Sequence, residues 1–158
     1  MKIALVYPRT LSQFKSNLFP LGLVYLATLL DNNGYNVKIF DSSFDKTLAN
    51  IKNKIKMFSP DFVGVSVTSD LYDNMKEIID FSKQNGAFTA IGGPHATIAF
   101  EECLNQVKSL DVAVIGEAEK TILGLVSSTD DLTRVKGIAY ISHRRLIVNP
   151  QNNSTVNL

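Results

Sequence analysis

The stretch Ala90-Ile91-Gly92-Gly93-Pro94-His95-Ala96-Thr97 governs the reading of the whole chain. An apolar run, residues 88–91, stops abruptly at two glycines and a proline. A buried strand reads this way where something must come close to its backbone. The glycines remove two side chains at the C-terminal end of the strand, and in an open α/β sheet that edge is where ligands bind.

The bulk properties bound the answer. A chain of 158 residues with 45 % hydrophobic and 20 % charged residues is sized for one domain with a substantial core. A formal net charge of +1 gives no electrostatic case for nucleic acid or for an anionic membrane surface. Lys46, Lys52, Lys54 and Lys56 interleave with Leu48, Ile51, Ile55 and Phe58, which reads as the solvated face of a helix. Cys103 is the one cysteine, so the chain holds no internal disulfide and no cysteine-built zinc or iron–sulfur site of its own. The N-terminus shows no signal-peptide pattern and no apolar run is long enough to span a bilayer, so a cytoplasmic protein is expected.

Outward from the glycines, strand and helix patterns alternate. Residues 3–6 are continuously apolar and end at Pro8, as a central parallel strand does. Residues 9–19 form a polar loop, long for an α/β connection. Pro20 stands where a first helical residue would, residues 22–30 read as a helix, and Gly34 closes it. A second strand, 37–40, precedes a helix over 47–58. A third strand, 62–67, ends in the hydroxyl cluster Ser66, Thr68 and Ser69. Asp70 or Asp73 is expected to cap the next helix, whose inner face carries Met75, Ile78 and Ile79, with Gly86 at its end. After the glycine pair comes a helix around 100–107. A fifth strand, 112–115, is stopped by Gly116-Glu117, and a short helix spans 121–126. Residues 137–141 and 146–148 read as a hairpin about the four-residue turn 142–145.

Five such alternations call for a parallel sheet covered on both faces, and the flavodoxin-like order 2-1-3-4-5 suits five strands. That order puts the loop 9–19 and the cluster 66–70 in one crevice, with Gly92 and Gly93 beside it. Pro8, Ser66, Thr68, Gly92, Gly93, Gly116 and Glu117 then share one rim. The first strand–helix turn has neither GxGxxG nor GxxxxGK[ST], so the rim suits a large, partly apolar ligand better than a nucleotide phosphate. Cys103 on its helix reads as a packed residue. Glu117 and Glu119 suit a helix N-terminus.

Six pieces of the chain resemble, in order and spacing, the cobalamin (B12)-binding domain that precedes the radical S-adenosylmethionine domain in B12-dependent radical enzymes. They are Lys2-Ile3-Ala4-Leu5-Val6-Tyr7-Pro8, Phe19-Pro20-Leu21-Gly22-Leu23-Val24-Tyr25-Leu26-Ala27, Pro60-Asp61-Phe62-Val63-Gly64-Val65-Ser66-Val67-Thr68, the glycine stretch 91–97, Gly116-Glu117-Ala118-Glu119-Lys120-Thr121 and Val135-Lys136-Gly137-Ile138-Ala139-Tyr140. The resemblance implies cobalamin as cofactor. The set it points to is Pro8, Arg9, Leu21, Gly22, Ser66, Thr68, Ser69, Gly92, Gly93, His95, Gly116 and Glu117, with no catalytic residue and no metal ligand. Ser66-Val67-Thr68 matches the family's hydroxyl motif after the third strand. By resemblance it joins the glycine pair around the displaced dimethylbenzimidazole tail.

Two departures shape the expectation further. B12 domains of the methionine synthase type carry a cobalt-binding histidine in DxHxxG after the first strand, and residues 9–19 contain no histidine. This resembles the radical-enzyme branch, where the corrin is held base-off without a protein ligand. The CxxxCxxC motif for a [4Fe–4S] cluster and S-adenosylmethionine is also absent. Residues 1–127 therefore read as the cobalamin domain. Residues 128–158 read as linker, hairpin and tail leading toward a radical SAM domain, supplied in cis or in trans and typically a methyltransferase. The other reading is a degenerate domain that recognises a partner or substrate without cobalamin, and the histidine-free loop supports it.

Overall fold

The computed structural model describes residues 1–8, 20–45 and 47–151; Arg9 and the loop 9–19, Lys46 and the tail from 152 lie outside the described residues. The elements run β1 (Lys2–Tyr7), α1 (Leu21–Asn32), β2 (Asn36–Asp41), α2 (Ala49–Phe58), β3 (Phe62–Ser66), α3 (Tyr72–Gln84), β4 (Phe88–Gly92), α4 (Pro94–Gln106), β5 (Val112–Val114), α5 (Ile122–Ser127), β6 (Ile138–Ser142) and β7 (Arg145–Asn149). One sheet holds all strands in the order β2-β1-β3-β4-β5-β6-β7. The first five are parallel, in the order the alternation predicts. The hairpin joins them: β6 pairs antiparallel with β5 and β7 with β6, so the sheet has seven strands. Ile138 and Ala139, fully buried, account for this, because their alternation extends both cores of the sheet.

Strand alternation divides the interior in two. Ala4, Val6, Val63, Val65, Ile91 and Ala113 face α2, α3 and α4, and meet Ile51, Ile55, Met75, Ile78, Ile79 and Leu104 there. Ile3, Leu5, Phe62, Ala90, Val112 and Val114 face α1 and α5, where Leu23, Leu30, Ile122 and Leu125 pack. Among the described residues three helices cover one face and two the other. That inequality leaves a gap over the middle of the sheet between α1 and α5, and it is the feature that positions the site.

Several expectations shift in detail. Pro20 caps α1 from one residue outside, its carbonyl accepting from the amides of Leu23 and Val24 at 3.0 and 3.2 Å. The N-cap of α3 falls on Leu71 and not on Asp70 or Asp73, because a single 3-10 turn over Ser69–Leu71 comes first. Helix α4 starts at Pro94, not near 100; a break at Ala99 (φ −125°, ψ 24°) resets its phase, so the apolar spacing becomes regular only beyond it. The hairpin turn is two residues, His143-Arg144, both left-handed at φ 49° and 64°, where four were expected. Such a turn matches the right-handed twist of the strands but is ordinarily signalled by Asn-Gly. Gly34 and Gly86 end their helices with φ of +82° and +86°, as read.

Lys52 reaches Glu77 on α3 and lies 5.6 Å from the centre of the Phe81 ring, in keeping with a solvated helix face. Cys103 is completely buried on α4, and burial pushes its thiol above the ordinary value. Thiol reagents at pH 8 are therefore expected to label the native protein only as fast as it opens, and to label it at once in denaturant. Rapid labelling of folded protein would contradict this packing.

Candidate functional site

The gap between α1 and α5 is a cavity of about 250 Å³ at the C-terminal edge of the sheet. Its floor is one face of four adjacent strands: Leu5 and Tyr7 on β1, Phe62, Gly64 and Ser66 on β3, Ala90 and Gly92 on β4, and Val114 on β5. Register makes the floor step down. Phe62 pairs with Phe88 and the rings stack 5.7 Å apart, but one step on Gly64 faces Ala90, and the next step sets Ser66 beside Gly92. Large side chains at the base thus give way to four small ones toward the rim. Gly22, Leu23 and Leu26 of α1 wall one side; Glu117, Ala118, Glu119 and Ile122 wall the other.

The glycines open this slot for different reasons. A Cβ on Gly64 would come within 3.3 Å of both Leu5 Cδ2 and Phe62 Cε1, so the floor is already filled to its limit there. A Cβ on Gly92 would make an ordinary 3.8 Å contact with Val114 Cβ, so this glycine provides room. Gly93 has φ +105° and ψ −175°, a region other residues essentially avoid, and a Cβ there would press on the Val67 carbonyl at 3.0 Å. Gly116 is left-handed as well, at φ +74°.

Main-chain bonds fix the rim. The Val67 amide donates to the Gly92 carbonyl at 2.9 Å and the His95 amide to the Val67 carbonyl at 3.2 Å. The Thr97 hydroxyl donates to the Gly93 carbonyl at 3.0 Å and accepts from the Gly116 amide at 3.0 Å. Inside, burial raises the Tyr7 hydroxyl above its ordinary pKa, and the Asp70 and Asp41 carboxylates add to the rise. Tyr7 therefore stays protonated near neutrality and can offer a proton to an acceptor. Glu117 and Glu119 stand at the mouth as acceptors.

Six of the twelve residues singled out from sequence, Gly22, Ser66, Gly92, Gly93, Gly116 and Glu117, line this cavity. Five do not. Pro8 is buried just beyond the end of β1 and does not line the cavity. Leu21 is 72 % exposed, because the helix turns Gly22, Leu23 and Leu26 inward instead. Thr68, Ser69 and His95 sit across the rim, where β3 turns toward α3. The Thr68 hydroxyl donates to Asp70 at 2.6 Å, Ser69 Oγ lies 3.0 Å from His95 Nδ1, and the His95 ring meets Tyr72 edge-on at 5.6 Å. The crevice therefore does not gather the whole cluster 66–70; it takes Ser66 and leaves the rest on the other face. Arg9 lies outside the described residues. Gly64 and Tyr7 were not singled out from sequence, while Ala90 and Thr97 belong to the stretch 90–97 expected to wall the ligand site, though neither was picked out by itself. Counting back in twos from Ser66 and Gly92 picks out Gly64 and Ala90, and that was the available signal.

Among the described residues no group of three His, Cys, Asp or Glu side chains could hold a metal ion, and no helix is long and apolar enough to cross a membrane.

A family model described as "B12 binding domain" matches residues 10–126. An uncharacterized methyltransferase of Pyrococcus horikoshii is 34 % identical over 151 residues, covering 91 % of this chain and 33 % of that protein. An anaerobic magnesium-protoporphyrin IX monomethyl ester cyclase of Rubrivivax gelatinosus is 28 % identical over 153 residues, covering 89 % of this chain and 28 % of that protein. The chain thus spans about a third or less of these relatives' length. In structure, the cobalamin-dependent S-adenosylmethionine radical enzyme OxsB, with aqua-cobalamin and S-adenosylmethionine bound, superposes with a TM-score of 0.83 at 20 % identity, over 95 % of this chain and 22 % of that one. The radical S-adenosylmethionine methyltransferase TsrM from Kitasatospora setae, with cobalamin and a [4Fe-4S] cluster bound, gives 0.79 at 20 % identity, over 96 % of this chain and 29 % of that one. The structural likenesses match the fold, and with the family model covering most of this chain and the Pyrococcus relative aligned over 91 % of it, the chain belongs to the B12-binding domain family.

Proposed function

We propose that this domain binds cobalamin base-off, with the benzimidazole tail in the slot and no side chain of this chain on the cobalt. In this reading it is the cobalamin-carrying part of a radical SAM enzyme of the methyltransferase kind. The observation that carries the reading is the floor of Gly64, Ser66, Ala90 and Gly92, lying between two apolar helices at the ligand edge of the sheet. A flat bicyclic base fits a slot with small residues beneath it and Leu23, Leu26 and Ile122 beside it. Ser66 and Tyr7 would supply hydroxyls for its polar atoms, and the apolar walls would keep water from the rest.

When bound, cobalamin supplies a cobalt able to take up and release a methyl group. The chain's share is holding and orienting. Glu117 and Glu119 at the mouth can accept hydrogen bonds from the amide groups that fringe a corrin. The histidines support the absence of a protein ligand: the chain has two, His95 bonded to Ser69 away from the slot and His143 in the hairpin turn. The radical SAM partner, in cis or in trans, must bring the cluster, since Cys103 is alone and buried.

The test is retention. Purified domain mixed with hydroxocobalamin and passed through a desalting column is expected to emerge coloured, with the absorption of the base-off form. A base-on spectrum would defeat the tail placement. Colourless protein would favour the degenerate, partner-recognising reading.

A further inference from the structure

We propose that Thr97 is a positioning residue for the cofactor tail: its hydroxyl holds open, at a fixed width, the split between β4 and β5 through which the slot meets the rim. This rests on the reading that the slot receives the nucleotide tail of cobalamin.

The split is visible in the register. Strands β4 and β5 pair at Ala90–Val112 and Ile91–Ala113, and the ladder stops there. Strand β4 remains joined to β3, since Ser66 pairs with Gly92 and the Val67 amide donates to the Gly92 carbonyl at 2.9 Å. The end of β5 leans the other way, the Ile115 amide donating to the Gly137 carbonyl at 2.8 Å on the hairpin side. In an extended strand the next amide, that of Gly116, points back toward β4. Among the described residues its partner there is not a backbone carbonyl but Thr97 Oγ1, at 3.0 Å.

The same hydroxyl donates to the Gly93 carbonyl at 3.0 Å, which also accepts the Thr97 amide at 3.0 Å. Having given its proton to Gly93, the hydroxyl has a lone pair left for Gly116, so the direction of both bonds is set. One side chain, from the first turn of α4, thus ties two glycines at φ +105° and +74° on neighbouring strand ends. Both glycines line the cavity. Valine has nearly the shape of threonine but would cut both bonds and leave the Gly116 amide unpaired, so the split would relax. Serine keeps the hydroxyl.

Cobinamide, which has the corrin but lacks the nucleotide tail, separates tail from ring. Spectral titrations of the wild type, Thr97→Val and Thr97→Ser with hydroxocobalamin and with cobinamide, combined with amide hydrogen exchange at Gly116, test the proposal. Wild type is expected to bind cobalamin more tightly than cobinamide; equal affinities would defeat the tail reading itself, whatever Thr97 does. Given that preference, Thr97→Val is expected to lose about tenfold toward cobalamin, two hydrogen bonds' worth, with cobinamide unchanged and Gly116 exchanging faster. Thr97→Ser should return cobalamin affinity to within about threefold of wild type, the residual loss being no more than its missing methyl contact. Thr97→Val with undiminished cobalamin affinity, or with equal loss toward both ligands, would overturn the positioning role. Should Thr97→Val fail to fold, Thr97→Ser decides: retained cobalamin preference with a protected Gly116 amide supports the role, and loss of either overturns it.

Discussion

Gly92→Leu is expected to abolish cobalamin retention while leaving the fold intact. The backbone at Gly92 is ordinary strand, and a Cβ there meets Val114 at 3.8 Å without strain. The remaining atoms of leucine must then lie over Ser66 and Ala90, in the space assigned to the ligand. Overpacking harms a filled core, but here the side chain enters an open cavity, and removing a glycine from a strand lowers the entropy lost on folding. The stability change should stay within about 1 kcal/mol, while affinity should fall at least about a hundredfold, the weight of about 2.7 kcal/mol of blocked contact. Urea denaturation followed by circular dichroism measures the first and a cobalamin titration the second. Undiminished affinity would mean that the ligand lies elsewhere on the rim.

Its neighbour should behave in the opposite way. Gly93→Ala is expected to destabilise the protein by about 3 kcal/mol, because the backbone region alone costs roughly 1–3 kcal/mol for a side-chain-bearing residue and the new Cβ also meets the Val67 carbonyl at 3.0 Å. For a chain of this size that is a fall in melting temperature of about 6–12 °C. The strain falls where β3 and β4 are locked together by the Val67–Gly92 and His95–Val67 hydrogen bonds, so it cannot relax without opening the rim. Cobalamin should recover part of the loss by mass action if it binds the native form. A melting temperature within 2 °C of wild type, equivalent to roughly a half kcal/mol, would show that the left-handed conformation at Gly93 is not required.

These neighbours show what was legible in the sequence. Glycines that end an apolar run announce a strand end near a ligand, and Gly92, Gly93 and Gly116 do line the slot. Neither their different reasons nor the floor could be read from one strand. Gly64 and Ala90 matter because register sets them side by side on the uncovered face, and register is a property of two strands at once. Thr68, Ser69 and His95 follow Ser66 and Gly93 closely in sequence, yet they lie across the rim, because the chain there is already turning into α3 and α4. Proximity in sequence put them in the crevice; the turn of the chain into those helices takes them out. The start of α4 was concealed by the break at Ala99, although Pro94 directly after Gly93 is a first-turn signal.

The two strands beyond the break in parallelism decide where the chain ends up. Strand β5 climbs toward the ligand edge, β6 descends and β7 climbs again, so the backbone reaches Asn149 beside the mouth of the slot and not at its foot. Gln151 confirms the address, its side-chain amide donating to the Ile115 carbonyl at 2.6 Å. A hairpin costs no crossover helix and returns the chain to the height from which it left. Residue 151, the last one described, therefore stands at the doorstep of the cavity.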